Sequence, residues 1–294
     1  MSVITDTSID EVSYDDGGAA AQAKRRRLMR QAGSYAILLA FAAFYVGPLL
    51  ILIFAAMKSL PEFFADPTGL PESFELANFG DAWELANFPG YMLNSLIYTV
   101  VGTTLFVIMS VFVAFPIARG YVKGSGAMLT LYVVALFLPP ALIPQFQLIL
   151  NLGLFNTRQG YILLFLINPI GLIILVNYIK SIPIELDESA AMDGCGYLRF
   201  VWSVLMPLIR PAIATVTVIH AIGIWNELIL ANVYLTNEDL FPITKGLIVF
   251  EGVYGSDWPK LAAAVLMLMF PMLVLFMFLQ RYIISGLTAG AVKG

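Results

Sequence analysis

Long runs of apolar residues, separated by polar connections, dominate the chain. A helix needs about 20 apolar residues to cross the hydrocarbon core of a bilayer. Six runs have about that length, so the pattern predicts six transmembrane helices and an all-α integral membrane protein. The predicted spans cover residues 34–57, 92–118, 127–150, 160–178, 208–234 and 261–279.

The composition excludes a soluble globular domain. The chain has 294 residues, of which 60% are hydrophobic and only 12% are charged. A soluble domain has about 25% charged residues, so this chain has too few charges to coat a surface that faces water. The net charge is −4 and the cationic residues form no extended stripe, which argues against a nucleic-acid partner. The remaining surface must face lipid or other membrane proteins.

The basic residues predict the orientation, because cytoplasmic connections carry an excess of Lys and Arg. An even number of spans places both termini on one side. That side would hold twelve of the 16 basic residues and the other side only four, namely Lys58, Arg158, Lys245 and Lys260. The sequence therefore predicts cytoplasmic termini, with a disordered tail over 1–33, a membrane domain over 34–281 and a C-terminal tail over 282–294.

Familiar catalytic and nucleotide-binding motifs are absent from the sequence. It contains no GxxxxGK[ST], GxSxG, HExxH or CxxC pattern, and it has one histidine and one cysteine. His220 and Glu227 lie seven residues apart in the fifth span, on roughly the same helical face. The two residues could form a proton relay, since ionisable groups inside a membrane are often functional. Alternatively, His220 is neutral and forms a hydrogen bond between helices, while Glu227 belongs to a polar pathway.

The connection between the fourth and fifth spans, residues 181–207, has the features of a short helix of its own. Pro183 suits a first turn, acidic residues follow it, and Gly194 can end a helix. We expect this helix over 184–193. One predicted face consists of Leu186, Ser189, Ala190 and Asp193, whose mostly small side chains would let another backbone approach closely. The pattern favours docking of a cytoplasmic partner, with a helix lying on the bilayer as the alternative.

These residues resemble a family motif. Glu188-Ser189-Ala190, then Asp193-Gly194, then Leu205-Met206-Pro207 is similar to the EAA-type motif of ABC importer permeases. The family pattern has Ala at the positions of Ser189 and Cys195, and here Met206 intrudes before the proline. All three exchanges are small or apolar and leave the close-approach argument intact.

Three further segments resemble the maltose-type (MalG-like) carbohydrate permeases. They are Trp225-Asn226-Glu227, the connection with Pro144, Gly153-Leu154-Phe155-Asn156-Thr157 and Gly160, and the C-terminus after Gln280. The resemblance covers nearly all of the chain after about residue 34.

The resemblance implies a type I ABC importer permease in the bacterial cytoplasmic membrane, with no covalent chemistry and no cofactor of its own. It implies a second homologous permease, two ATPase subunits that bind ATP-Mg, an external solute-binding protein and a sugar substrate. Contact with the ATPase would fall on Glu185, Glu188, Ser189, Ala190, Asp193, Gly194 and Pro207. Trp225, Asn226 and Glu227 would line the pathway or its gate.

Two other functions stay open at this point. An ion-coupled secondary transporter would use Pro-broken spans, and Pro139, Pro140, Pro144 and Pro169 fit that pattern. The same importer architecture could instead carry glycerol 3-phosphate. No Lys or Arg lies well inside a predicted span, which favours a neutral sugar over an anionic cargo.

Overall fold

The computed structural model describes residues 16–85, 87–252 and 255–291, and these are mostly helical. The helices are α1 Asp16–Ala56, α2 Leu60–Ala65, α3 Ala77–Leu85, α4 Phe88–Arg119, α5 Ser125–Ala135, α6 Leu142–Asn151, α7 Arg158–Leu163, α8 Pro169–Lys180, α9 Glu185–Met192, α10 Tyr197–Phe200, α11 Met206–Leu208, α12 Arg210–Trp225, α13 Ile229–Tyr234, α14 Ile243–Gly246 and α15 Trp258–Ala291. A π-helical turn joins α10 to α11 over Val201–Leu205. Two 3₁₀ turns occupy Glu238–Leu240 and Leu247–Phe250. Strands β1 (Glu251–Gly252) and β2 (Gly255–Ser256) pair antiparallel.

Within the described residues, three helices are long and apolar enough to cross a membrane. They are Gln31–Ala56, Phe88–Arg119 and Trp258–Phe278, which correspond to the predicted first, second and sixth spans. Two helix pairs are sharply bent: α8 with α9, by 78°, and the Tyr197–Leu208 segment with α12, by 83°. The number of candidate spans rises to five if each of these pairs counts as one span. The all-helical membrane fold is therefore confirmed, whereas the count of six and the orientation stay predictions.

The predicted third, fourth and fifth spans are interrupted rather than continuous. Pro139 and Pro140 separate α5 from α6, because proline lacks a backbone N–H and disfavours helix at the residue before it. Asn168 breaks the fourth span and caps α8, since its side-chain Oδ1 accepts a hydrogen bond from Gly171 N at 3.2 Å. Pro169 then occupies the first turn, where no N–H is needed.

The boundaries of both expected tails also differ in the structure. Helix α1 begins at Asp16, so residues 16–33 are helical where disorder was expected, and residues 1–15 lie outside the described residues. Helix α15 runs to Ala291, through most of the expected tail over 282–294, and residues 292–294 are not described.

Helix α4 lies at the centre of the bundle and packs against α8 and α12. Phe106 on α4, Leu172 on α8 and Val216 on α12 are all buried in one apolar cluster. Gly171 allows the close approach, because a Cβ there would lie 2.7 Å from the Phe106 ring and 3.0 Å from Val216 Cγ1. Small residues at such crossings are typical of helix packing in membranes.

Candidate functional site

Helix α9 forms where the sequence predicts the short helix, within one residue at each end. Gly194 follows it with φ of +70°, a left-handed conformation that glycine adopts without strain. Gly194 N donates to Ala191 O at 3.0 Å, and Cys195 N donates to Ala190 O at 2.9 Å. This pair of bonds is a Schellman motif, which satisfies carbonyl groups at the helix end and turns the chain sharply toward α10.

The exposed and inward faces of α9 differ from the predicted ones at one position. Glu185, Glu188, Ser189 and Asp193 are exposed, as a partner-facing surface requires. Ala190, however, is half-buried and packs against the apolar cluster around α4, α8 and α10. The expectation that Ala190 shares the exposed face with Ser189 and Asp193 is therefore wrong, because Ala190 belongs to the side of α9 that faces the bundle.

A buried ion pair, which sequence reasoning missed, fixes the inward face of α9. Asp187 accepts hydrogen bonds from Arg119 Nε at 2.7 Å and from Arg119 Nη2 at 3.0 Å. The third guanidinium nitrogen donates to Ile182 O at 3.0 Å, and the Tyr121 hydroxyl donates to Asp187 Oδ2 at 3.2 Å. The Arg119 and Asp187 side chains are only 6% and 7% exposed. Such two-bonded, water-excluded pairs are strongly directional. We call Arg119, Tyr121 and Asp187 the inner clamp.

The inner clamp also explains the environment of Tyr121, which follows the end of α4. Burial first, and then the adjacent Asp187 carboxylate, raise the pKa of the Tyr121 phenol above its ordinary value. The phenol therefore keeps its proton at neutral pH and remains a donor to Asp187. The pairing had no specific signal in the sequence, because Asp187 is one of three acidic residues near the start of α9 and Arg119 lies 68 positions earlier.

Pro207 lies at the far end of the same connection, in α11, and is exposed. The chain bends by 83° between the Tyr197–Leu208 segment and α12. Within this segment Val201 and Leu205 are buried and anchor it to the bundle. Pro207 is therefore separated from α9 by the π-helical turn, whose first and last residues are buried.

The Trp225-Asn226-Glu227 segment lies where the fifth span is interrupted. Trp225 is buried, and its Nε1 donates to Leu268 O on α15 at 3.3 Å. Glu227 caps α13, because its Oε1 accepts from Leu230 N at 2.9 Å. Asn226 alone of the three leaves its side chain exposed, beside a cavity of about 220 Å³ between α12 and α15.

His220 is a polar connection between α12 and the interrupted fourth span. Its Nε2 lies 2.9 Å from Phe165 O, which can only accept, so Nε2 carries the proton. Its Nδ1 lies 3.0 Å from Asn168 Nδ2 and accepts that bond, because Asn168 Oδ1 already accepts from Gly171 N. Both ring nitrogens are thus occupied, which favours the interhelical bond over the proton relay.

The polar groups of the candidate site act as caps and clamps. Within the described residues, no group of three or more His, Cys, Asp and Glu side chains could hold a metal ion. The structure thus combines an interrupted, apolar helical bundle with a short, exposed acidic helix that a buried ion pair attaches to the bundle. These features are typical of a multi-pass membrane protein.

Comparison with known proteins gives the family. Residues 85–288 match the family of binding-protein-dependent transport system inner membrane components. The chain belongs to this family: it is a multi-pass permease subunit of the ABC transporter type in the bacterial inner membrane, and a transport component rather than an enzyme.

Individual relatives match over nearly the whole chain. The melibiose/raffinose/stachyose import permease MelC of Bacillus subtilis is 31% identical over 280 residues, which are 93% of this chain and 100% of that protein. The diacetylchitobiose uptake permease NgcG of Streptomyces coelicolor is 30% identical over 281 residues, 94% and 92% of the two chains. The fold matches a crystal structure of a bacterial alginate importer with a TM-score of 0.78, at 24% identity, over 88% of this chain and 98% of that chain.

Proposed function

We propose that this subunit imports a sugar or oligosaccharide, driven by ATP, together with a second permease and two ATPase subunits. Relatives that span the chain are import permeases for melibiose, raffinose and stachyose and for diacetylchitobiose. The observation that carries the coupling proposal is the exposed acidic face of α9, mounted on the bundle through the buried Asp187.

The ATPase would contact the exposed side of α9. Glu185, Glu188, Ser189 and Asp193 supply its polar groups, and Met192 adds an apolar side chain that is 88% exposed. Ala190 and Gly194 would act indirectly, by seating the helix and turning the chain after it. Pro207 lies beyond the π-helical turn and would form the edge of the contact. ATP-Mg would bind in the partner, and this chain would hold no cofactor.

The proposal requires six spans with both termini in the cytoplasm. The interrupted helices support a count above three, because α5 with α6, α7 with α8, and α12 with α13 lie in the places of the predicted third, fourth and fifth spans. The distribution of Lys and Arg favours the α9 side as cytoplasmic. An acidic helix such as α9 is unfavourable on the anionic inner leaflet, which supports contact with a protein instead.

Within the pathway segment, Asn226 is the best candidate to meet the substrate. Trp225 and Glu227 are engaged with α15 and α13, so they would set the shape of the interruption. An exposed amide can both donate and accept hydrogen bonds to sugar hydroxyls. The predicted spans lack Lys or Arg well inside them, which is consistent with a neutral substrate. Glycerol 3-phosphate is anionic and would favour a basic residue there.

Reconstitution tests the proposal. The tagged chain would be purified from its own membranes with whatever co-purifies, and the complex placed in liposomes with its solute-binding protein. We expect a P-loop ATPase pair and a second permease in the complex, and uptake of a radiolabelled neutral oligosaccharide that requires internal ATP. Uptake by the isolated chain, driven by a proton or sodium gradient alone, would establish the secondary transporter instead.

A further inference from the structure

Helix α4 is held by polar side chains at both ends. At the end nearest α9, the inner clamp joins Arg119 to Asp187 through two hydrogen bonds, and to Ile182 O through a third. This attachment is additional to the covalent path of the chain, since α4 and α9 are separated in sequence by α5 to α8.

The opposite end of α4 holds a different segment, residues 239–243. Asn94 Nδ2 donates to Asp239 O at 2.8 Å and to Phe241 O at 3.1 Å. The Tyr98 hydroxyl donates to Leu240 O at 2.8 Å, and Ser95 Oγ accepts from Ile243 N at 2.8 Å. The three α4 side chains are buried. We call Asn94, Ser95 and Tyr98 the outer clamp.

The outer clamp extends to a second element. Arg158 at the start of α7 donates from Nη2 to Asn94 Oδ1 at 2.9 Å, so the Asn94 amide joins α7 and the 239–243 segment through α4. All of the donors to backbone carbonyls here come from side chains of α4. Four hydrogen bonds therefore attach the segment to α4.

One continuous helix connects the two clamps. Asn94 and Arg119 lie 25 positions apart in α4, which corresponds to about 37 Å along the axis. The covalent exits from α9 are less rigid, because the chain bends by 78° between α8 and α9 and leaves α9 through Gly194 and Gly196. The buried ion pair, in contrast, cannot slide without leaving a charge unpaired.

We propose that α4 transmits displacement of α9 to the 239–243 segment, and that Arg119 and Asp187 are the positioning residues that make this transmission efficient. The inference rests on the proposed function, since it takes the driving motion of α9 from an ATPase. In this inference α4, rather than the covalent connections of α9, carries the ATPase-driven motion to the end of the bundle that holds residues 239–243, through hydrogen bonds and the ion pair.

The test places a reporter on the outer segment of the whole complex. Cys195, the sole cysteine, is first replaced by Ser. A spin label is then attached at Asp239→Cys, because the Asp239 side chain is exposed and only its backbone carbonyl bonds to the outer clamp. We expect the label spectrum of the reference complex to change when a non-hydrolysable ATP analogue is added. Asp187→Asn and Arg119→Gln should each lose at least half of that change, and sugar transported per ATP should fall about tenfold.

Lys123→Gln is the matched control, because it removes the same charge from an exposed position four residues after Arg119. It should keep both the spectral change and the transport ratio. Tyr121→Phe removes a single hydrogen bond from the clamp and retains the ion pair, so it provides a mild variant if the others fail to assemble; it should lower the transport ratio about twofold.

The outcomes separate the two proposals. A full spectral change and an unaltered transport ratio in the assembled clamp variants, or in Tyr121→Phe where those do not assemble, would overturn the role of α4. A reference complex that shows neither an ATP-dependent change nor ATP-driven uptake would overturn the proposed function itself. Partial recovery in the swapped variant Arg119→Asp with Asp187→Arg would support the pairing directly.

Discussion

The end of α9 gives a sharp test, because two nearby glycines differ in one property. Gly194 has φ of +70° and Gly196 has φ of −71°, and a side chain added at either would meet no atom within 4 Å. A left-handed backbone costs an L-residue about 1–2 kcal/mol, so Gly194→Ser should destabilise the local turn by that amount. Gly196→Ser should be neutral or stabilise by up to about 1 kcal/mol, because serine reduces the freedom of the unfolded chain and caps helices well.

Amide hydrogen exchange of the peptide that covers α9 measures the difference. A cost of about 1–2 kcal/mol raises the population of the opened turn about 5- to 30-fold, so exchange at Gly194 N–H and Cys195 N–H should accelerate by that factor. Gly196→Ser should leave those amides as protected as in the parent, and Gly194→Asn should fall between the two serine variants, since asparagine tolerates this conformation. Equal protection in both serine variants would refute the assignment of a left-handed helix end at Gly194.

Substitutions at three other positions, with Gly80→Ala as a control for the first, test the architecture of the bundle. Gly160→Ala would push a Cβ into the Leu154 carbonyl, so the melting temperature of the complex should fall by several degrees. Gly80→Ala should raise it slightly, because Gly80 occupies an exposed position of α3 with open space around it. Asn156→Ala should destabilise by about 2 kcal/mol in thermal unfolding, because Asn156 has φ of +55° and its Oδ1 accepts two backbone N–H bonds. His220→Leu should lower the free energy of unfolding by about 1–3 kcal/mol, again measured by thermal unfolding. ATP-driven uptake by the parent complex should not depend on a proton gradient, whereas a proton relay at His220 would make uptake depend on one.

The sequence was sufficient where the governing interactions are local. The bounds of α9 follow from acidic residues in a first turn and a glycine that ends the helix, and both signals act within a few residues. The first, second and sixth spans follow equally from apolar length. The C-terminal turn after Arg119 repeats the arrangement at Gly194, since Gly120 has φ of +71° and Tyr121 N donates to Pro116 O at 3.0 Å.

Long-range partners could not be read from the sequence. Asp187 looks like one more acid in the first turns of α9, and only the structure shows that it alone turns inward to meet Arg119, 68 positions earlier. Ala190 was misassigned for the same reason, because a periodic pattern identifies a face without saying what covers it. The interruption at Asn226 was hidden in an apolar run, since Glu227 is identifiable as a cap only once its bond to Leu230 N is known.

Stability alone does not account for the inner clamp. Replacement of a buried ion pair by apolar residues of similar volume is often neutral or stabilising, whereas removal of one partner costs about 3–5 kcal/mol. We therefore propose that Asp187 and Arg119 contribute mainly by excluding other positions of α9, because each displaced arrangement leaves a charge without its partner. In the proposed function α9 would receive force from an ATPase, and such a helix would need that property more than it needs a lower free energy. The same reasoning predicts that an apolar pair at these positions would keep the fold and lose the coupling, which separates the two roles.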